Sequence, residues 1–180
     1  MEKGNRKVLW IGGVVLFAFL LAVAGIWWFS PTQQQNRRNR ALVVACKAGD
    51  LKAVQAALKE GADASGSDGN GITPLMYAAR GNRPNQESPA ATDHPDVVQL
   101  LLEHGADCNA ATDSGFVALF WAARYGHEKV VRALIDKGAD VNAKDNDGLT
   151  AMKWANANRS ASPQNYDQVI AHLKQAGAKE

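Results

Sequence analysis

Apolar residues follow two different patterns along the chain. From Val8 to Phe29 they dominate a run of 22 residues without one charged or amide side chain. Beyond about residue 39 they come in doublets instead: Val97-Val98 with Leu101-Leu102, Val130-Val131 with Leu134-Ile135, and Val169-Ile170 with Leu173. A step of four residues returns a side chain to the same helical face, so each set predicts an amphipathic helix that buries one stripe. Each is preceded by a small-residue helix, marked by Ala78-Ala79, Ala122-Ala123 and Ala155-Asn156. Each is followed by a closing phrase: Gly105-Ala106-Asp107, Gly138-Ala139-Asp140 and a degraded Gly177-Ala178-Lys179, with an earlier copy at Gly61-Ala62-Asp63. The middle copies lie 33 residues apart (105 to 138), the others 44 (61 to 105) and 39 (138 to 177), or 33 with insertions of 11 and 6. A fixed period of this length predicts a stacked solenoid, because no single unit can bury its stripe alone.

The connecting segments repeat in step. Gly71-Ile72-Thr73-Pro74-Leu75 recurs as Gly115-Phe116-Val117-Ala118-Leu119 and Gly148-Leu149-Thr150-Ala151-Met152. Asp68 and Asp145 stand three residues before a turn glycine, where a carboxylate holds the turn and glycine supplies positive φ. Thr73-Pro74 reads as a helix entry, with Thr as N-cap and Pro at the first helical position. Gly61, Gly105 and Gly138 read as left-handed helix ends.

These residues resemble the ankyrin repeat, whose pattern carries Thr-Pro-Leu-His at its first helix and Gly-Ala-Asp at the exit of its second. The resemblance covers roughly residues 39 to 180. Met76, Phe120 and Lys153 stand where the family has its His. It implies an all-α solenoid of about four helix–turn–helix units with β-hairpin loops, at about 39–66, 67–110, 111–143 and 144–180. Ala41 to Leu58 supplies two helices without a preceding hairpin, as an N-terminal cap would, and the last helix is polar enough for the opposite cap. The insertions, Gly81 to Asp93 and Asn158 to Asn165, are expected as polar loops on one edge of the stack.

The N-terminal run divides the first 38 residues into a basic tail (1–7), a transmembrane helix or signal anchor (8–29) and a polar linker (30–38). At 1.5 Å per residue the run spans about 33 Å, enough to cross a hydrocarbon core. Trp10 and Trp27-Trp28 stand where interfacial aromatics belong. A signal peptide cleaved after Ala22-Val23-Ala24 is the competing reading; continuation of the apolar run through Phe29 favours an uncleaved anchor. Three basic residues lie on each side (Lys3, Arg6, Lys7 against Arg37, Arg38, Arg40). Lys7 abuts the span, which favours a cytoplasmic N-terminus and repeats in the periplasm of a bacterial inner membrane, with a cytoplasm-facing domain as the alternative.

Charge changes little once the chain is divided. Residues 1 to 40 carry six Lys/Arg and one Glu, net +5; residues 41 to 180 carry 14 Lys/Arg and 17 Asp/Glu, net −3. The repeat region therefore lacks the overall basic footprint of a nucleic-acid binder, and no such partner is expected. Cys46 and Cys108 fall in different layers and predict no disulfide. His94 and His127 hold one repeat position before the second helix and read as structural, while His104 and His172 have no partner at zinc spacing. No nucleophile, phosphate loop or acid–base pair assembles, so the chain is expected to be non-enzymatic, without cofactor, metal or small-molecule substrate.

The resemblance implies a concave face made of hairpin tips and first helices. Mapped here, the tips carry Asp68, Asn70 and Ile72; Thr112, Ser114 and Phe116; and Lys144, Asn146 and Leu149. Ile72, Phe116 and Leu149 hold one position, as hairpin packing or as an apolar stripe anchored by Phe116. Arg80, Arg124 and Tyr125 would form its rim, and Tyr77, Trp121 and Trp154, at a semi-buried helix position, are assigned mostly to core packing. The expected function is a monomeric protein–protein interaction module, tethered to a membrane through 8–29, that recruits, stabilises or inhibits an envelope protein. The alternatives are a cleaved, soluble periplasmic accessory or immunity protein, or a regulatory subunit facing the cytoplasm.

Overall fold

The computed structural model describes residues 31–81, 93–159 and 163–179. Two compact units divide the chain, Met1–Arg37 and Arg38–Glu180, and the repeats make up the second. Eight helices are present among the described residues: α1 (Pro31–Ala48), α2 (Leu51–Lys59), α3 (Pro74–Arg80), α4 (Pro95–Glu103), α5 (Ala118–Tyr125), α6 (Glu128–Asp136), α7 (Ala151–Asn158) and α8 (Pro163–Gln175). They pair in order as four helix–turn–helix units. The helices α3, α5 and α7 stack as an inner layer and α2, α4, α6 and α8 as an outer one.

The apolar doublets explain the layering. Val97, Val98 and Leu101 of α4, Val130, Val131 and Leu134 of α6, and Val169 and Leu173 of α8 are buried in one continuous core. Each such side chain stabilises the fold by about 1.5–3 kcal/mol on burial. The alanine pairs of α3 and α5 are fully buried, and their small side chains let successive inner helices approach closely. At the positions of the family His, Met76 and Phe120 are also buried and pack in the core.

The caps follow the local chemistry. Thr73 and Thr150 accept from the Met76 and Lys153 N–H groups at 3.3 and 3.4 Å, whereas Val117 has no side-chain cap to offer α5. Asp50 caps α2 through the Ala53 N–H at 3.0 Å. Gly61, Gly105, Gly138 and Gly177 all sit near φ +85, as the closing phrase requires (87, 83, 85 and 86). The Asp of that phrase then takes the N–H two residues on, as Asp107 does from Asn109 and Asp140 from Asn142. Asn109 reaches across to the next unit, accepting from Asp140 N–H at 2.8 Å and donating to Gly138 O at 3.2 Å.

Three expectations are corrected. The polar stretch placed in a linker at 30–38 is helical from Pro31 onward, within the 18-residue α1. Its Gln and Arg side chains are good helix formers, and polarity alone does not distinguish a solvated helix from a loop. The insertion at 158–165 is shorter than expected, because α8 already begins at Pro163, a residue suited to a first helical turn. The hairpins are tight turns, with no strand among the described residues. The insertion at 81–93 lies outside the described residues except at its ends. The 8–29 span also lies outside them; among the described residues no helix is long and apolar enough to cross a membrane.

Candidate partner-binding face

Three equivalent turns form the tips. In the first, Asp68 N–H bonds Ile72 O and Gly71 N–H bonds Asp68 O, both at 3.0 Å; the second and third repeat this at Thr112/Phe116/Gly115 and Asp145/Leu149/Gly148. Two of the tip glycines, Gly71 and Gly115, are required twice over, for their positive φ and for the close approach of the next tip. Gly115 has φ +78, and a Cβ there would lie 3.0 Å from the Asp145 Cα of the next tip. Asn146 fastens those two tips together, its N–H on Ser114 O at 3.2 Å and its Nδ2 on Asp113 O at 3.1 Å.

Asp68 holds its own turn. Its carboxylate accepts from the Asn70 and Ile72 N–H groups at 2.9 and 3.0 Å and from the Tyr77 hydroxyl at 2.7 Å. Burial pushes the Asp68 carboxyl up, but those donors and the nearby Lys47 more than offset it and hold it below its ordinary value. Asp145 repeats the arrangement with Asp147, Leu149 and the Trp154 indole. Both carboxylates serve the fold.

Phe116 is the centre of an aromatic cluster. Its ring lies 5.9 Å from Phe120 and 5.3 Å from both Trp121 and Trp154. Ile72, Phe116 and Leu149 are each half-buried, so the two readings of this stripe merge: one side of each side chain packs and the other faces outward. Tyr125 stacks on Trp121 at 6.2 Å with an interplanar angle of 9°.

Tyr77, Trp121 and Trp154 are half-buried and pack against the core, as expected, and on this face they also carry cations from the preceding unit. Lys47 Nζ lies 4.2 Å from the Tyr77 ring, Arg80 Cζ 5.4 Å from Trp121 and Arg124 Cζ 4.8 Å from Trp154. Such pairs are worth about 0.5–1 kcal/mol at exposed sites. In the first unit, Val44 occupies the same column and is 65% exposed. From Arg38 onward α1, α3, α5 and α7 carry Arg38, Arg40, Lys47, Arg80, Arg124 and Lys153 and no acidic residue. Among the described residues the acidic side chains of the repeat region thus lie in turns, tips and outer helices.

Between the second and third units this face opens into a cleft of about 450 Å³. Asn70, Ile72, Thr112, Ser114, Phe116 and Arg124, all expected site residues, line it. Asp113 and Trp121 complete the wall and were not anticipated. Asp68, Arg80, Tyr125, Lys144, Asn146 and Leu149 do not line it. A signal for Trp121 did exist, a Trp three residues before an Arg, but the ring meets the Arg of the preceding unit.

The column of His94 and His127 is structural. His127 is buried, with Nε2 3.1 Å from the Arg80 carbonyl of the preceding unit. His94 packs on Gly49, where a Cβ would lie 2.1 Å from its ring. Tyr166 continues this column, its hydroxyl donating to Arg124 O at 2.7 Å. Sequence reasoning missed it because the residue type changes. Cys46 is fully buried and its thiol is pushed up to about 12 by burial. Cys108 donates to Lys137 O at 3.6 Å, and neither is in a disulfide. A second cleft of about 480 Å³ on the outer layer is polar-walled, next to His172, whose Nε2 lies 2.9 Å from Glu128. Among the described residues no three His, Cys, Asp or Glu side chains gather as metal ligands.

Comparison with known proteins agrees with this architecture. The family described as ankyrin repeats (3 copies) matches residues 16–112 and 87–175. Over 99 residues, 54% of the chain, it is 36% identical to the Drosophila melanogaster ankyrin repeat and KH domain-containing protein mask. It is 35% identical over the same length to the human ankyrin repeat and KH domain-containing protein 1. Over 38 residues, 21% of the chain, it is 53% identical to the Arabidopsis thaliana E3 ubiquitin-protein ligase XBAT33. The matches span only 2%, 4% and 7% of those proteins' lengths. With matching repeats over most of its length and four stacked helix pairs, the chain belongs to the ankyrin-repeat family of protein–protein interaction modules.

Proposed function

We propose that the chain holds a protein partner on the face made by its hairpin tips and inner helices, beside a membrane to which residues 8–29 anchor it. The carrying observation is the cleft between the second and third units, walled by half-buried Ile72, Phe116 and Trp121 with Arg124 at its edge. Half-buried aromatics beside a guanidinium are the residue types that dominate binding energy at protein interfaces. The partner is an envelope protein that the repeats recruit, stabilise or inhibit, and the repeats lie in the periplasm of a bacterial inner membrane. Support for the anchor is the uncharged 22-residue run, with Trp10 near one end and Trp27-Trp28 near the other.

A photo-crosslinking amino acid at Asn70 or Ser114, both exposed tips, should trap one partner in cells; the same group at Gln99 on the outer layer should not. Equal trapping at Gln99 would refute the face assignment. Alkaline phosphatase and a fluorescent protein fused in turn after Glu180 report the side of the membrane. Phosphatase activity alone fits the periplasmic placement. Fluorescence alone fits a cytoplasm-facing domain, the reading favoured by two cysteines outside any disulfide.

A further inference from the structure

Two of the three tip layers contain the same three-part arrangement. In one, the Asp68 carboxylate accepts from the Tyr77 hydroxyl at 2.7 Å while Lys47 covers the Tyr77 ring. In another, the Asp145 carboxylate accepts from the Trp154 indole at 3.1 Å while Arg124 covers that ring. Carboxylate, aromatic donor and cation share one layer: the anion satisfies the donor while the cation covers the ring.

The middle layer keeps the aromatic and the cation but not the anion. Thr112 stands where the others have Asp, 44 residues after Asp68 and 33 before Asp145. Its Oγ1 takes the Phe116 N–H at 3.0 Å, and a hydroxyl has no second oxygen with which to reach the ring. Trp121 Nε1 is accordingly buried without an acceptor, although Arg80 still covers its ring. A buried donor left without a partner is costly and is rare in folded proteins.

A second substitution acts at the same place. Asn146 stitches the fourth unit's tip to the third, whereas the residue 33 positions earlier is Asp113, whose side chain has no N–H to donate. The tips of the second and third units meet at Gly71 against Thr112 without a backbone hydrogen bond between them, and the cleft opens there. Water does not reach the indole nitrogen, so occupation includes a small parting of these two unstitched tips.

We propose that this position takes a carboxylate supplied by the partner, so that the segment docked on this face is acidic. This rests on the reading of the face as the partner site and names what the site selects. An Asp or Glu oxygen accepting from Trp121 Nε1 would rebuild the arrangement of the neighbouring layers, with Arg80 over the ring and Arg124 on the cleft wall. The inner helices around it carry cations and no acid. Asp113, on the exposed rim, opposes an anion, but water screens it, and Arg124 stands on the same cleft wall.

The test is to pan a library of random peptides displayed on phage against the full chain. Enriched peptides are then measured by fluorescence anisotropy on Thr112→Asp, Trp121→Phe and Ser114→Arg. Peptides sharing an Asp or Glu are expected. Thr112→Asp supplies the missing anion from within, so it should raise Tm yet weaken binding about tenfold, the worth of one charge-assisted bond. Trp121→Phe keeps the ring and should weaken binding to a similar extent. The Trp121 indole proton, identified by its loss in that variant, should move downfield in the NMR spectrum on binding. Peptides without an acidic preference that are nonetheless lost in Ser114→Arg would overturn the carboxylate and leave the face standing. So would Thr112→Asp binding as the parent does while Tm rises. Peptides indifferent to Ser114→Arg would overturn the face itself.

Discussion

Replacing Gly115 and Gly138 separately with alanine isolates how tightly the tips are packed. Both glycines have positive φ, +78 and +85, so both variants lose the left-handed freedom that only glycine has. That part costs about 1–2 kcal/mol at either position. The surroundings differ. Around Gly138 nothing lies within 4 Å of a built Cβ, whereas at Gly115 the Cβ would lie 2.9 Å from Asn146 Oδ1 and 3.0 Å from Asp145 Cα. The Asn146 side chain can move, but the Asp145 backbone cannot do so without lifting the fourth unit's tip from the third. Overpacking of this kind adds about 1–3 kcal/mol, giving about 2–5 kcal/mol for Gly115→Ala. With about 2–4 °C of Tm per kcal/mol for a domain near this size, Gly138→Ala should melt a few degrees low and Gly115→Ala clearly lower. Urea unfolding followed by both far-ultraviolet circular dichroism and tryptophan fluorescence measures the difference. Equal losses at the two positions would refute the close packing of the tips.

Other consequences can be checked the same way. Asn109→Ala removes two bonds between exit turns and should cost about 1–2 kcal/mol, with faster hydrogen exchange at the Asp140 amide. Tyr166→Phe deletes the bond to Arg124 O from a buried ring and should cost about 1 kcal/mol in urea unfolding; no loss would show that the hydroxyl does not hold the last unit. The His94 imidazole is held below its ordinary value by burial and by His127, against the pull of Asp93. The unfolded chain then takes up this proton first, so stability contributed by neutral His94 is complete above about pH 6.5 and declines as pH falls below it. His94→Gln should flatten that decline in urea midpoints, and an unchanged slope would place its cause elsewhere.

The repeat, its exit glycines and its threonine caps were legible because each depends on contacts within a few residues. Gly138 needs only its own φ, and Thr73 only the N–H three residues on. What could not be read depends on contacts between units. The period aligns Tyr77, Trp121 and Trp154 as a column but does not reveal that Arg80 covers the Trp of the next unit. It likewise conceals that Tyr166 takes the place of His127 one layer on, because a phenol and an imidazole reach a neighbouring carbonyl equally well. The helix from Pro31 is hidden for a different reason: Gln and Arg suit a solvated loop and a solvated helix equally, so polarity alone does not distinguish the two.

The two cysteines give the molecule an internal gauge of where it opens. Cys46 lies wholly inside the first unit, and burial holds its thiol near pKa 12, so it reacts with an alkylating reagent only after that unit comes apart. Cys108 lies half-exposed in the turn between the second and third units and reports on that junction without any unfolding of the first. Alkylation rates at the two sulfurs, followed by mass spectrometry, therefore distinguish fraying that begins at the N-terminal end from parting in the middle of the stack. No label or foreign residue need be introduced.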